Sequence, residues 1–147
     1  MLSADLSELA LARQRLADAA EHIILPELAS KQPIGPAVRQ GDDEWFSVVR
    51  WTLYALIAAE ELGVSSGNVD SAKNSAGDEV LRFLGVGVDL GKRLGLSADW
   101  TQRIIRQVGN YGELFERHLG QKSALKLERR LNNLSSNGGL HYAPSFR

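Results

Sequence analysis

The chain has 147 residues, 44% hydrophobic and 24% charged, with 17 basic against 18 acidic side chains and a net charge of −1. That length suits one ordinary domain, and the charge balance supplies no global field for holding nucleic acid or an anionic membrane. Cysteine is absent, which removes disulfides, thiolate nucleophiles and Cys-ligated metals, and no apolar run approaches the ~20 residues that cross a bilayer.

In chain order, a first helix is expected over residues 6–16, rich in Ala and Leu. Asp5 precedes it and Glu8 follows three residues on, a capping arrangement. His22-Ile23-Ile24-Leu25, closed by Pro26, reads as a short buried strand. Residues 34–39 read as extended, because Pro36 forbids helix and Pro33 restricts Gln32. The best-marked element is a helix over residues 43–62. Gly41 frees the backbone, Asp42 or Asp43 can cap, and Glu44 complements the positive helix end. Trp45, Val48, Val49, Thr52, Leu56 and Ala59 form its apolar stripe, flanked by Phe46, Leu53 and Ile57, and Gly63 follows as a C-terminal stop.

Residues 64–77, dominated by Ser, Gly and Asn, read as loop with about one turn of helix. Short helices punctuated by glycine follow: residues 78–84 before Gly85, 89–94 before Gly95, 99–108 before Gly109 and 111–119 before Gly120. Trp100, Ile104, Ile105 and Val108 share one face of the third of these, and Leu114, Phe115 and Leu119 point inward from the fourth. Ser123 can cap a last helix running to residue 134, with Leu127, Leu131 and Leu134 apolar; residues 138–144 cannot be helical.

Each chemical signal has a plain structural alternative. Gly63-Val64-Ser65-Ser66-Gly67 has the form of a hydrolase nucleophile elbow, but a helix rather than a strand precedes it, so a helix-ending loop is the better reading. His22, His118 and His141 are scattered and lack zinc-ligand spacing. Gly85-Val86-Gly87 lacks the third glycine and the strand of a dinucleotide loop. Arg103, Arg106, Arg117, Arg129 and Arg130 are interleaved with acids and read as solvated helix faces, without an aromatic platform for bases. Asp5 has two readings, a helix cap by its spacing and a charge-assisted partner for a ligand ammonium group. No catalytic constellation, metal site or cofactor loop is expected, and the chain is read as a non-enzyme.

At Ser30-Lys31-Gln32-Pro33-Ile34-Gly35-Pro36-Ala37-Val38-Arg39-Gln40-Gly41-Asp42-Asp43-Glu44-Trp45-Phe46 the chain resembles the general L-amino-acid-binding proteins of polar amino-acid ABC transporters. The resemblance continues through Val49-Arg50-Trp51-Thr52-Leu53-Tyr54-Ala55 and Ala59-Glu60-Glu61-Leu62-Gly63. It returns in Gln107-Val108-Gly109-Asn110-Tyr111-Gly112-Glu113-Leu114-Phe115-Glu116-Arg117, in Gly138-Gly139-Leu140 and in Tyr142-Ala143-Pro144. It implies the two-lobed α/β type II periplasmic-binding fold, of which this chain resembles only the C-terminal portion, a helix-rich fragment with a few short strands.

On that resemblance, residues 1–33 are the remnant of the second lobe plus the return crossover. Residues 34–147 are the C-terminal part of the first lobe with a helical extension. The implied partners are an L-amino acid and the membrane permease of an ABC transporter, with no nucleic acid. Ala4-Asp5-Leu6-Ser7 matches the turn whose aspartate meets the ligand amino group, so Asp5 is the expected ligand-binding residue. Two departures accompany the match: four residues stand where a strand precedes that aspartate, and Ser135-Ser136 stand where the family tends to carry a bulky aromatic. No residue matches the family's carboxylate-binding arginine, so weak or absent binding by the chain alone is expected. The alternative is a truncated helical protein that self-associates through exposed core surface around Trp45, Trp51 and Leu56, a possible homo-oligomer. Met1-Leu2-Ser3-Ala4-Asp5 lacks the basic and apolar regions of a secretory signal, which alone suggests the cytoplasm; the family implies the periplasm.

Overall fold

The computed structural model of the protein describes residues 2–74 and 77–146. Ser75 and Ala76, at the end of the loop expected over residues 64–77, lie outside the described residues. Five α-helices are formed among the described residues: α1 Leu6–Gln14, α2 Asp43–Glu61, α3 Asp78–Phe83, α4 Trp100–Val108 and α5 Tyr111–His118. The described residues contain no strand, only an isolated parallel bridge between Leu134 and His141. The contacts divide the chain into two compact units. One comprises the chain up to Gly35 with Glu116–Glu128; the other comprises Pro36–Phe115 with the chain from Arg129 on.

The strand expected at His22-Ile23-Ile24-Leu25 does not form. A strand persists only where a neighbour completes its ladder, and here Ile23 is 79% and Leu25 53% exposed in irregular chain. In the same unit α1 buries Ala10, and the Gln14 side-chain amide donates to the Ala124 carbonyl. The helix expected over residues 123–134 is also absent, replaced by a strap with one 3-10 turn at Arg130–Asn132. Ser123 turns its hydroxyl to the Gly120 carbonyl at 2.8 Å and accepts the Leu125 N–H at 3.1 Å, so the capping residue closes a turn instead of opening a helix. Lys126 and Arg130 adopt left-handed backbone, φ 49° and 45°, which a helix excludes.

In the second unit α2 starts where its sequence says it should. The Asp42 carboxylate accepts the Trp45 N–H at 3.0 Å, and Gly63 ends the helix at φ 67°. Its stripe is buried unevenly. Ala55, Ile57, Ala58 and Ala59 are buried, whereas Trp45 is 55% and Phe46 44% exposed, because the core collects around the C-terminal half of the helix. There Ala55, Ala58 and Ala59 meet Val64, Val69, Phe83, Leu84, Trp100 and Ile105. The small alanines let the other elements approach α2 closely, and the large side chains fill the space between them. On α4, Trp100, Thr101, Gln102 and Ile105 are buried while Val108 is 39% exposed, so the inward face is rotated from the expected one. Thr101 belongs to it because its hydroxyl donates to the Phe83 carbonyl. The helix expected over residues 89–94 shrinks to a 3-10 turn at Lys92–Leu94. The Asp89 carboxylate accepts the N–H groups of Gly91 and Lys92, and a side chain at Gly91 would stand 2.3 Å from the Ser97 carbonyl oxygen.

The tail returns over this unit. Ala143 N–H donates to Glu61 at 3.1 Å, and the Phe146 ring lies 5.3 Å from both Trp51 and Phe83 in edge-on geometry, with Trp100 at 6.3 Å.

Candidate functional site

Asp5 takes the N-cap position of α1 with extended backbone, φ −60° and ψ 145°, but its side chain makes no cap hydrogen bond. Its backbone carbonyl accepts the Leu9 N–H at 2.9 Å, so the helix begins on main-chain bonding, and the expected Asp5–Glu8 capping exchange does not supply the cap. The half-buried Asp5 carboxylate therefore stands at the positive end of a helix with its oxygens uncommitted to that helix.

The densest chemistry lies in the other unit, where sequence reasoning expected only solvated arginines. Arg129 forms a two-point ion pair with Glu60, Nη2 to Oε2 at 3.1 Å and Nη1 to Oε1, the two side chains only 14% and 15% exposed. Nη2 also donates to the Asn132 carbonyl at 2.9 Å. The guanidinium lies 5.5 Å from the Tyr111 ring and 5.7 Å from that of Phe115. Gly112 makes room for the pair, since a Cβ there would meet Glu60 Cδ at 3.0 Å and Arg129 Nη1 at 3.2 Å. The His141 ring packs 4.5 Å from Tyr111, and both His141 Nδ1 and Arg129 Nε are buried without a hydrogen-bond partner.

Burial pushes the Tyr111 hydroxyl above its usual range. Burial, reinforced by the Arg129 charge and opposed by Glu60, pushes His141 below its ordinary 6.5. The unfolded chain therefore holds the extra proton just below pH 6.5, and stability rises with pH there. The contribution is complete above 6.5 and lost as the pH falls through the folded value. Melting temperature is expected to fall on acidification below pH 6.5, and His141→Gln to blunt that fall; an unchanged profile in the variant would remove His141 as the cause.

A second network fastens the loop after α2 to the start of α5. Glu113 N–H donates to Asn110 Oδ1 and Asn110 N–H to Glu113 Oε2, both at 2.9 Å, a reciprocal capping box. The Glu113 carboxylate also accepts the Ser66 N–H at 3.0 Å and the Ser66 hydroxyl, while Asn110 Nδ2 donates to the Val64 carbonyl at 2.8 Å. The Asn-x-x-Glu spacing was the available signal for this box. Glu113→Ala should cost ~0.5–2 kcal/mol, the usual range for a lost cap, measured as a shift in denaturant midpoint.

The same network settles the serine-rich motif. Ser65 N–H donates to Asn68 and Asn68 Nδ2 to the Gly63 carbonyl, a closed helix-ending loop rather than a nucleophile elbow. Arg106 pairs with Asp70 at the surface, holding that carboxyl below its usual range chiefly by hydrogen bonding, and Gln102 adds a bond of 3.1 Å. Arg129 is thus the exception to the solvated reading of the arginines. His22 lies beside Asp18, His118 beside Arg117 and His141 on Tyr111, and the described residues hold no group of three metal-ligating side chains. A groove of about 280 Å³ beside α2 and α3 is walled by Glu61, Phe83 and the chain's own Ala143 and Phe146, just under the ~300–1,000 Å³ of ordinary ligand pockets.

No family model matches the chain. It is 54% identical over 145 residues to the general L-amino acid-binding periplasmic protein AapJ of Rhizobium johnstonii, covering 97% of this chain and 42% of that protein. It is 52% identical over 147 residues to the putative amino-acid ABC transporter-binding protein YhdW of Escherichia coli, covering 99% of this chain and 43% of that one. Among solved structures it matches an ABC transporter periplasmic binding protein from Brucella ovis with glutathione bound, with a TM-score of 0.90 and 46% identity over 98% of this chain and 46% of that one. The chain spans less than half the length of these relatives. It is homologous over nearly its whole length to a C-terminal portion of amino-acid ABC transporter periplasmic binding proteins and shares their fold, here in a helix-rich segment.

Proposed function

We propose that the chain supplies part of the substrate-binding component of an ABC transporter for polar L-amino acids, acting with a membrane permease in the periplasm. The observation that carries this reading is sequence identity of 52–54% across nearly the whole chain with proteins named for amino-acid binding and transport. In it, residues 1–33 belong to the second lobe and the return crossover, and residues 34–147 complete the first lobe. Asp5 is the residue assigned to the ligand amino group: a carboxylate at a helix start, without a cap bond to make, is open to a charge-assisted bond with an ammonium group. An arginine to clamp the carboxylate is the missing half. Arg129, which has the planar fork for that task, is already spent on Glu60.

The chain alone is therefore expected to bind free amino acids weakly or not at all, and no enzymatic step is proposed for it. Isothermal calorimetry with acidic, amide and basic amino acids tests this; micromolar binding by the 147-residue chain would overturn it. Joined to the preceding portion of a longer relative, the chain should bind, and Asp5→Asn should then weaken binding about tenfold to a hundredfold, as for loss of a hydrogen bond to a charged group (~1.5–3 kcal/mol). Unchanged affinity would remove Asp5 from the site. A second reading, self-association, rests on the exposure of Trp45 at 55% and its neighbour Phe46 at 44%, whereas Trp51 and Leu56, also expected on that surface, pack against the core. Light scattering after size exclusion separates the two: a monomer at all concentrations argues against assembly.

A further inference from the structure

We propose that Asn137 is a chemical modification site, a deamidation centre whose conversion releases the C-terminal strap from its turn. Asn137-Gly138 is the one Asn-Gly pair in the sequence. In the reaction the Gly138 backbone nitrogen, having lost its proton to solvent, attacks the side-chain carbonyl carbon of Asn137. A carbon–nitrogen bond forms, closing a five-membered succinimide, and the bond to the side-chain nitrogen breaks, releasing ammonia. Water then opens the ring at either carbonyl, giving aspartate or isoaspartate; no oxidant, reductant or enzyme is required. Glycine after the asparagine matters because no Cβ crowds the attack.

The local structure sets both the access and the restraint. Residues 135–138 are all exposed, and Asn137 ends a three-residue 3-10 turn, Ser135–Asn137, with Gly138 left-handed at φ 80°. The attacking nitrogen is held by one bond, Gly138 N–H to the Ser135 carbonyl at 3.2 Å, long for such a bond and in a helix type with poor hydrogen-bond geometry. Exposed single turns of this kind open locally at little cost, so the amide becomes available without global unfolding.

The residues that follow cannot absorb the extra backbone methylene of isoaspartate. Gly139 N–H donates to the Leu134 carbonyl at 2.9 Å, and even a Cβ at Gly139 would stand 1.9 Å from the Asn133 carbonyl oxygen. Leu140 N–H is bonded to Leu131, His141 N–H to Asn133 and Ser135 N–H to His141, so the whole register of the strap is set across this turn. That strap carries His141 onto Tyr111 and Phe146 among Trp51, Phe83 and Trp100. Conversion at Asn137 shifts the register and loosens both contacts.

The test ages the full 147-residue chain in mildly alkaline buffer, maps its peptides by mass spectrometry and follows melting and tryptophan fluorescence. The expected result is acidic and isoaspartyl product concentrated in the peptide holding Asn137. Its growth should be matched by a falling melting temperature, and both changes should be absent in Asn137→Gln, whose longer side chain closes the ring far more slowly. Asn137→Ser serves as a second control if the glutamine disturbs the turn. Conversion of Asn74 or Asn132 ahead of Asn137 would overturn the proposal. So would an intact Asn137 in the folded chain when the denatured chain reacts there, or conversion of Asn137 that leaves melting and fluorescence unchanged.

Discussion

Arg129→Ala is expected to destabilise the protein by about 3–5 kcal/mol, the cost of leaving a charge buried after its partner is removed. Glu60, only 15% exposed in its side chain within the pair, would lose its cation beside the glycine that accommodates the two side chains. The same change removes the bond to the Asn132 carbonyl and the packing on Tyr111 and Phe115, so the strap loses its attachment at residue 129. Equilibrium denaturation with urea measures the loss. The double variant Glu60→Met with Arg129→Met should recover much of it, since an apolar pair of similar volume replaces the ions without stranding a charge. A single variant within about 1 kcal/mol of the parent would show that the pair does not organise the strap, a loss no larger than that of an exposed pair.

Phe83→Ala is the second large effect, about 3–5 kcal/mol, in the range for deleting a buried aromatic ring. Phe83 is 1% exposed and belongs to the core formed with α2 and α4, and its ring supports Phe146 at 5.3 Å. Its backbone carbonyl takes the Thr101 hydroxyl, a bond the substitution leaves in place, so the loss reports packing alone. Thermal melting should fall sharply, with Trp51 and Trp100 fluorescence shifting toward that of solvated indole as the tail loosens. Phe83→Leu, which keeps most of the volume, should cost far less.

Several parts of this fold were legible from local sequence. The helix α2 carries its own start and stop: Asp42 caps it, Asp43 and Glu44 sit in its first turn, and Gly63 takes the left-handed position that ends it. The glycine stops after α3 and α4 were readable for the same reason, since a positive φ at Gly85 and Gly109 is a backbone demand made within a few residues. Where a local pattern had a competitor elsewhere in the chain, reading failed. Leu127, Leu131 and Leu134 have helical spacing, yet Ser123 spends its hydroxyl on a turn and Arg129 is drawn to a partner 69 residues away. His22-Ile23-Ile24-Leu25 has the composition of a strand, and composition cannot supply the neighbouring strand whose backbone would complete it.

The candidate sites divide in the same way. Asp5 was visible because a carboxylate before a helix is a pattern of adjacent residues, and its N-cap position was correctly placed, though not its capping bond. The Glu60–Arg129–Tyr111–His141 cluster was not visible, because its members come from α2, the strap, α5 and the tail and share no spacing. By itself the sequence determined the family resemblance, the start and end of the principal helix and the absence of cysteine chemistry, all of which reside in residue identity or in contacts a few residues apart. The tertiary structure alone decided which arginine is largely shielded from solvent, which half of α2 faces the core and where the tail rests. Those outcomes turn on desolvation and packing between segments distant in the chain, where charge pairing and close fit are settled only once the segments meet.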